Sequence, residues 1–202
     1  MSQAPVMSRE TNATSDDPPV VDAVVDRMAG GSEGSGATAF RQTADRVLRH
    51  SRRSGEGFAL VVLDIDRFRD VNDAFGPAFA DALLCSVQRR LRETVREGDL
   101  IAHLGTDRFG VLLIDADDGE GTAKALARIA AACSSPLACG DVSLCVTASV
   151  GGCLWSPGVT DAGALLYLAE QALARAKAAG GASSGLIVPE AIAGHDAAVN
   201  AT

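Results

Sequence analysis

No apolar run in the 202 residues approaches the length of a membrane span, and the N-terminus lacks the basic-then-apolar pattern of a secretory leader. The expectation is therefore a cytoplasmic protein with no membrane partner. Cysteine pairing is missing too. Cys85, Cys133, Cys139, Cys145 and Cys153 are odd in number and contain no Cys-x-x-Cys, which disfavours thiolate metal sites and disulfides and favours buried free thiols. Positive charge is short: 18 Lys and Arg against 26 Asp and Glu give a net charge of −8, which argues against nucleic acid as a partner. There is no internal repeat. What remains, 47% hydrophobic and 22% charged residues, is the composition of an ordinary globular domain with enough chain for a substantial core.

Along the chain, 1–36 reads as a disordered tail and linker, rich in Ser, Thr, Asp, Pro and Gly. Within it, Val21, Val24, Val25 and Met28 recur at helical spacing, predicting a short helix over 20–28 that docks, dimerises or packs on its own domain. The folded domain is expected over 37–188, with a flexible tail over 189–202. Thr38 is placed as the N-cap of a helix that turns Phe40, Ala44, Val47 and Leu48 inward. Phe58 to Ile65 reads as a buried strand. A helix from about Pro77 to Val95 carries Phe79, Leu83, Leu84, Val87, Leu91 and Val95 on one stripe, with Pro at its start. Leu100 to Leu104 and Phe109 to Ile114 form a hairpin around a tight Gly-containing turn. Asp117 to Gly121 is a loop and Thr122 to Cys133 a helix. Leu137 to Val142 and Leu144 to Trp155 suggest a second hairpin turning at Gly140-Asp141. Asp161 to Ala179 is a last helix, and Gly185 to Val188 a short closing strand. This order implies an α+β fold, an antiparallel-rich central sheet with helices packed on it.

The chemistry gathers at two places. The strand ends in Asp64-Ile65-Asp66, with Asp64 and Asp66 on one face by strand alternation. The hairpin turn reads Gly105-Thr106-Asp107-Arg108-Phe109 and offers a further carboxylate. Carboxylates converging from a strand end and a facing turn suit a hard cation beside phosphates. Together with Arg69-Asp70-Val71-Asn72-Asp73-Ala74-Phe75-Gly76 and Asp81, the pattern resembles the GGDEF domain, the diguanylate cyclase family, with its nucleotidyl-cyclase-like palm. The resemblance implies Mg²⁺ held by Asp64, the main-chain carbonyl of Ile65 and Asp107. It implies GTP phosphates wrapped by backbone at Phe68 and Arg69 and clamped by Lys177, and guanine read by Asn72 and Asp81. Such pairing is chemically apt, since a carboxylate accepts from guanine N1 and N2 while an amide pairs another edge.

The family turn is Gly-Gly-Asp/Glu-Glu-Phe, and this chain departs from it twice. Thr106 stands where a second glycine lets the backbone approach phosphate; a positive φ there would store roughly 1–2 kcal/mol. Arg108 replaces a carboxylate, either competing with the cation for Asp64 and Asp107 or pointing to solvent. Gly181 stands where a phosphate-binding Arg is expected, so half the clamp is gone, and with the degenerate turn Gly105 to Phe109 the catalytic set is not intact. Arg96-Glu97-Gly98-Asp99 matches an Arg-x-x-Asp motif that in relatives binds the product, cyclic di-GMP, as an inhibitor; guanidinium forks suit phosphate and guanine acceptors. Three functions stay open: a non-catalytic receptor for cyclic di-GMP or GTP, an active cyclase working as a homodimer, and a ligand-free scaffold for a protein partner.

Overall fold

The computed structural model describes residues 35–189. The helix expected over 20–28, most of the linker and almost all of the C-terminal tail lie outside the described residues. Among the described residues, five helices and seven strands follow in order: α1 Ser35–Ser54, β1 Phe58–Ile65, α2 Phe68–Phe75, α3 Pro77–Thr94, β2 Leu100–Gly105, β3 Arg108–Ile114, α4 Gly119–Ser134, β4 Leu137–Cys139, β5 Val142–Leu144, β6 Ala148–Leu154, α5 Ala162–Ala178 and β7 Ser184–Ile187.

The eight residues of β1 are all buried because strands flank it and helices cover both its faces. In the main sheet, ordered β2-β3-β1-β6-β7, β1 pairs antiparallel with β3 and β6, and only β6-β7 is parallel. Strand alternation splits the core. Ala59, Val61, Leu63 and Ile65 pack toward Leu83, Val87 and Leu91 of α3 and Leu126 and Ile129 of α4. Phe58, Leu60 and Val62 face Phe40, Ala44 and Leu48 of α1 and Leu165, Ala169 and Leu173 of α5. Each such side chain contributes roughly 1.5–3 kcal/mol on burial, so the α+β fold rests on two apolar layers. The stripes expected on α1, α3 and α5 face inward.

Several boundaries differ. Helix α1 opens at Ser35, not Thr38, and Gly36 lies inside it; a methyl on Gly36 would strike the carbonyl of His103, so the helix seats directly on β2. The segment Phe68–Phe75 is a separate helix that the sequence reading left unassigned. Helix α4 starts at Gly119, capped by the Asp118 carboxylate accepting from Gly121 N, so its first turn uses residues expected in the loop. The expected second hairpin is split: β5, Val142–Leu144, closes a small hairpin with β4, whereas Ala148–Leu154 forms β6 and joins the main sheet. Asp161 is the N-cap of α5.

All five cysteines are free, and Cys133, Cys139 and Cys153 are buried. Burial pushes the Cys133 thiol up to about 11 and Cys153 to about 12. No helix among the described residues is long and apolar enough to cross a membrane.

Candidate functional site

The first site forms where β1 ends against the β2–β3 turn. Ile65 N donates to the carbonyl of Asp107 at 3.1 Å, drawing the turn onto the strand end. Gly105 has φ 120° and Thr106 φ 51°. The left-handed backbone expected to strain a residue at position 106 is therefore occupied by a β-branched side chain. His103 packs at a tilt against Phe109, ring centroids 5.0 Å apart, and places its Nε2 3.1 Å from the Thr106 carbonyl, steadying that turn.

Asp64 is nearly buried and pairs with Lys177 Nζ at 2.6 Å. Burial, and then the Asp64 charge, raise the Asp107 carboxyl above its ordinary value, while the Lys177 and Arg108 charges pull the other way. Two carboxylates that feel one another in this way fit a hard divalent cation. No group of three or more His, Cys, Asp or Glu side chains suited to a metal gathers among the described residues. A cation here would therefore complete its shell with main-chain, phosphate or water oxygens, as Mg²⁺ commonly does.

Arg108 neither points to solvent alone nor pairs with those carboxylates. Its Nη2 lies 3.0 Å from Glu170 Oε1 on α5, and its buried Nε has no hydrogen-bond partner. Sequence reasoning missed Glu170, whose role depends on where α5 crosses the sheet.

Asp66 locks the chain after α5. Its carboxylate accepts from Thr147 Oγ1 and Ser149 Oγ, both at 2.7 Å, and from Ala182 N at 2.9 Å. Burial pushes this carboxyl up, but those bonds and Lys177 outweigh it and hold it below its ordinary value. Gly181, where the clamp Arg was expected, has φ 77°, and a methyl there would press on the Asp66 carboxylate.

Phe68 and Arg69 open α2; Asp70 N already donates to the Arg67 carbonyl at 3.0 Å, which leaves the Phe68 and Arg69 N–H groups as the ones that suit an anion. Phe68 is buried, and the exposed Arg69 only approaches Asp73, at 3.9 Å. Asn72 is partly buried near the end of α2, and Asp81 is exposed on α3, the helix packed beside it.

A second site sits at the ends of α3 and β3. A cavity of about 100 Å³ is lined by Arg96, Asp99 and Arg128 together with Asp115 to Asp118. Both Asp99 oxygens accept main-chain N–H groups at 2.9 Å, from Arg96 and Ile114, which ties the loop to β3 and leaves lone pairs toward the cavity. Arg128, which the sequence reading did not name, reaches in from α4, its Nε donating to the Thr94 carbonyl at 3.3 Å.

A two-faced α+β sandwich with a carboxylate pair between its central strand and a strained hairpin turn defines a nucleotidyl-cyclase-like domain. The family description "Diguanylate cyclase, GGDEF domain" matches residues 36–183, and the chain belongs to that family. Diguanylate cyclase TpbB of Pseudomonas aeruginosa is 33% identical over 139 residues, covering 68% of this chain and 32% of that protein. Cyclic di-GMP phosphodiesterase NbdA of the same species is 34% identical over 143 residues, or 71% of this chain and 18% of that protein. The chain thus spans about a third or less of these curated relatives' length. The crystal structure of the TpbB GGDEF domain superposes with a TM-score of 0.69 at 31% identity, covering 74% of this chain and 93% of that one. The relatives are proteins of cyclic di-GMP signalling.

Proposed function

We propose that this chain is a receptor domain for cyclic di-GMP that does not synthesise it. The observation that carries this reading is the convergence of Arg96 and Asp99, from the loop after α3, and Arg128, from α4, on one cavity. The two guanidinium groups suit phosphate and guanine acceptors and Asp99 suits guanine donors; Asp115, Asp117 and Asp118 also line the cavity, so any phosphate must be held by Arg96 and Arg128. At about 100 Å³ the cavity takes one part of the dinucleotide, a guanine edge or a phosphate, and the remainder lies across the open surface.

The turn supports the absence of synthesis. Thr106 places a branched side chain where the backbone must approach phosphate, and Arg108 contributes a charge of the wrong sign for metal handling. The pair Asp64 and Asp107 remains, as do Phe68, Arg69, Asn72, Asp81 and Lys177, so GTP with Mg²⁺ is the second ligand to try.

Calorimetry with cyclic di-GMP and with GTP tests the proposal. Arg96→Ala and Arg128→Ala should each weaken cyclic di-GMP about ten- to a hundredfold, the loss of one charged hydrogen-bonding partner. Asp64→Ala should leave that binding unchanged. Equal loss in Asp64→Ala would move the ligand to the first site, and no binding by the parent chain would favour the scaffold. Incubation with GTP and Mg²⁺ should yield no cyclic di-GMP by chromatography; product abolished by Asp64→Ala would establish the cyclase.

A further inference from the structure

Glu170 and Lys177 are seven residues apart on α5, about two helical turns, and so lie on one face of it. Both touch the first site, with opposite charges. Lys177 Nζ lies 2.6 Å from Asp64 Oδ1 and Glu170 Oε1 3.0 Å from Arg108 Nη2. We propose that this face of α5 governs cation access to Asp64 and Asp107 through two opposed contacts: Lys177 occupies Asp64 in place of a metal, and Glu170 holds Arg108 off the carboxylates.

The charge accounting supports both halves. Arg108 sits next in sequence to Asp107 and opposite Asp64 in the β1–β3 register. A guanidinium at that position, left without another anion, has two carboxylates within its neighbourhood. Glu170 offers it a third that belongs to neither β1 nor the turn. Its buried, unpartnered Nε means that the group is anchored through Nη2 alone, with donor capacity left to satisfy elsewhere. Lys177 is the reverse case. It is half-exposed while Asp64 is almost covered, so the ammonium can leave for solvent or phosphate more readily than the carboxylate can go without a cation. A metal arriving at Asp64 must displace it.

The inference rests on reading Asp64 and Asp107 as a divalent-cation site and is independent of cyclic di-GMP binding at the second pocket. The test uses Mn²⁺ alone, titrated into the full chain without nucleotide and followed by electron paramagnetic resonance of the free ion. Lys177→Met should tighten Mn²⁺ about threefold or more, and Glu170→Gln should weaken it by a similar factor, the size expected for partly exposed ion pairs. Arg108→Met should abolish the effect of Glu170→Gln, because Glu170 acts through Arg108 and not through its own field. Asp64→Asn should remove the binding in every background. Lys177→Gln repeats the first comparison if Lys177→Met fails to fold. An unchanged or weaker affinity in the Lys177 variants overturns the proposal. So does an undiminished Glu170→Gln effect in the Arg108→Met background, or no Mn²⁺ uptake by any variant.

Discussion

Thr106 sits in the left-handed region. At φ 51° a threonine costs roughly 1–2 kcal/mol, whereas glycine occupies that region freely. Glycine also makes the unfolded chain more flexible, which takes back about 0.4–1 kcal/mol. Thr106→Gly should therefore stabilise the fold by about 0.5–1 kcal/mol, measured by urea denaturation; destabilisation would mean that the threonine side chain has a supporting contact. Asp107 makes a second test at this scale. Its folded-state pKa is raised, so the folded chain holds that proton more tightly than the unfolded one. The stability this provides is present below the unfolded pKa and is lost as pH rises through the folded value. Asp107→Asn should accordingly raise the melting temperature at neutral pH, with the gain shrinking toward about pH 4. A gain that grows on acidification would contradict the raised pKa.

Helix α5 places two of the decisive contacts, Lys177 on Asp64 and Glu170 on Arg108, and it does so by lying very close to the sheet. A methyl group on Gly151 of β6 would collide with Leu173 N and the Ala169 carbonyl. Gly151→Ala should therefore push α5 outward and cost about 1–3 kcal/mol, the usual range for overpacking. A loss of Lys177 contact with Asp64 should accompany it, visible as a shift of the Lys177 ammonium resonance. Elements of this kind were only half legible in the sequence. The apolar stripe of α5 was plain because Leu165, Ala169 and Leu173 recur at helical spacing. Its position over the turn was not, since that depends on glycines forty or more residues from Arg108. Helix α2 was missed although Phe68, Val71 and Phe75 have helical spacing, because eight residues supply barely two turns of pattern. Residues 144–155 contain no glycine or proline before Gly151, so nothing local marked the change from the small hairpin to the main sheet. Asp64, Asp107, Arg96 and Asp99 were readable because each belongs to a contiguous motif. Arg128 and Glu170 were not, because only the packing of α4 and α5 brings them to their sites.

For the whole molecule, the two sites lie at different ends of the same hairpin: the strained turn at Gly105 to Arg108, and the cavity where β3 runs out at Ile114. Strand β3 is therefore the shortest covalent path between that cavity and the carboxylate pair. Its partner β1 has a different consequence, one that belongs to synthesis. The strand Phe58–Ile65 has no polar residue before Asp64, and its second neighbour, β6, is Ala148–Leu154. At 5–20 residues per second the ribosome needs on the order of ten seconds to supply that partner. Throughout that interval a newly made apolar strand has an unpaired edge, and that edge is the place where a nascent chain of this protein is most open to aggregation and to capture by a chaperone.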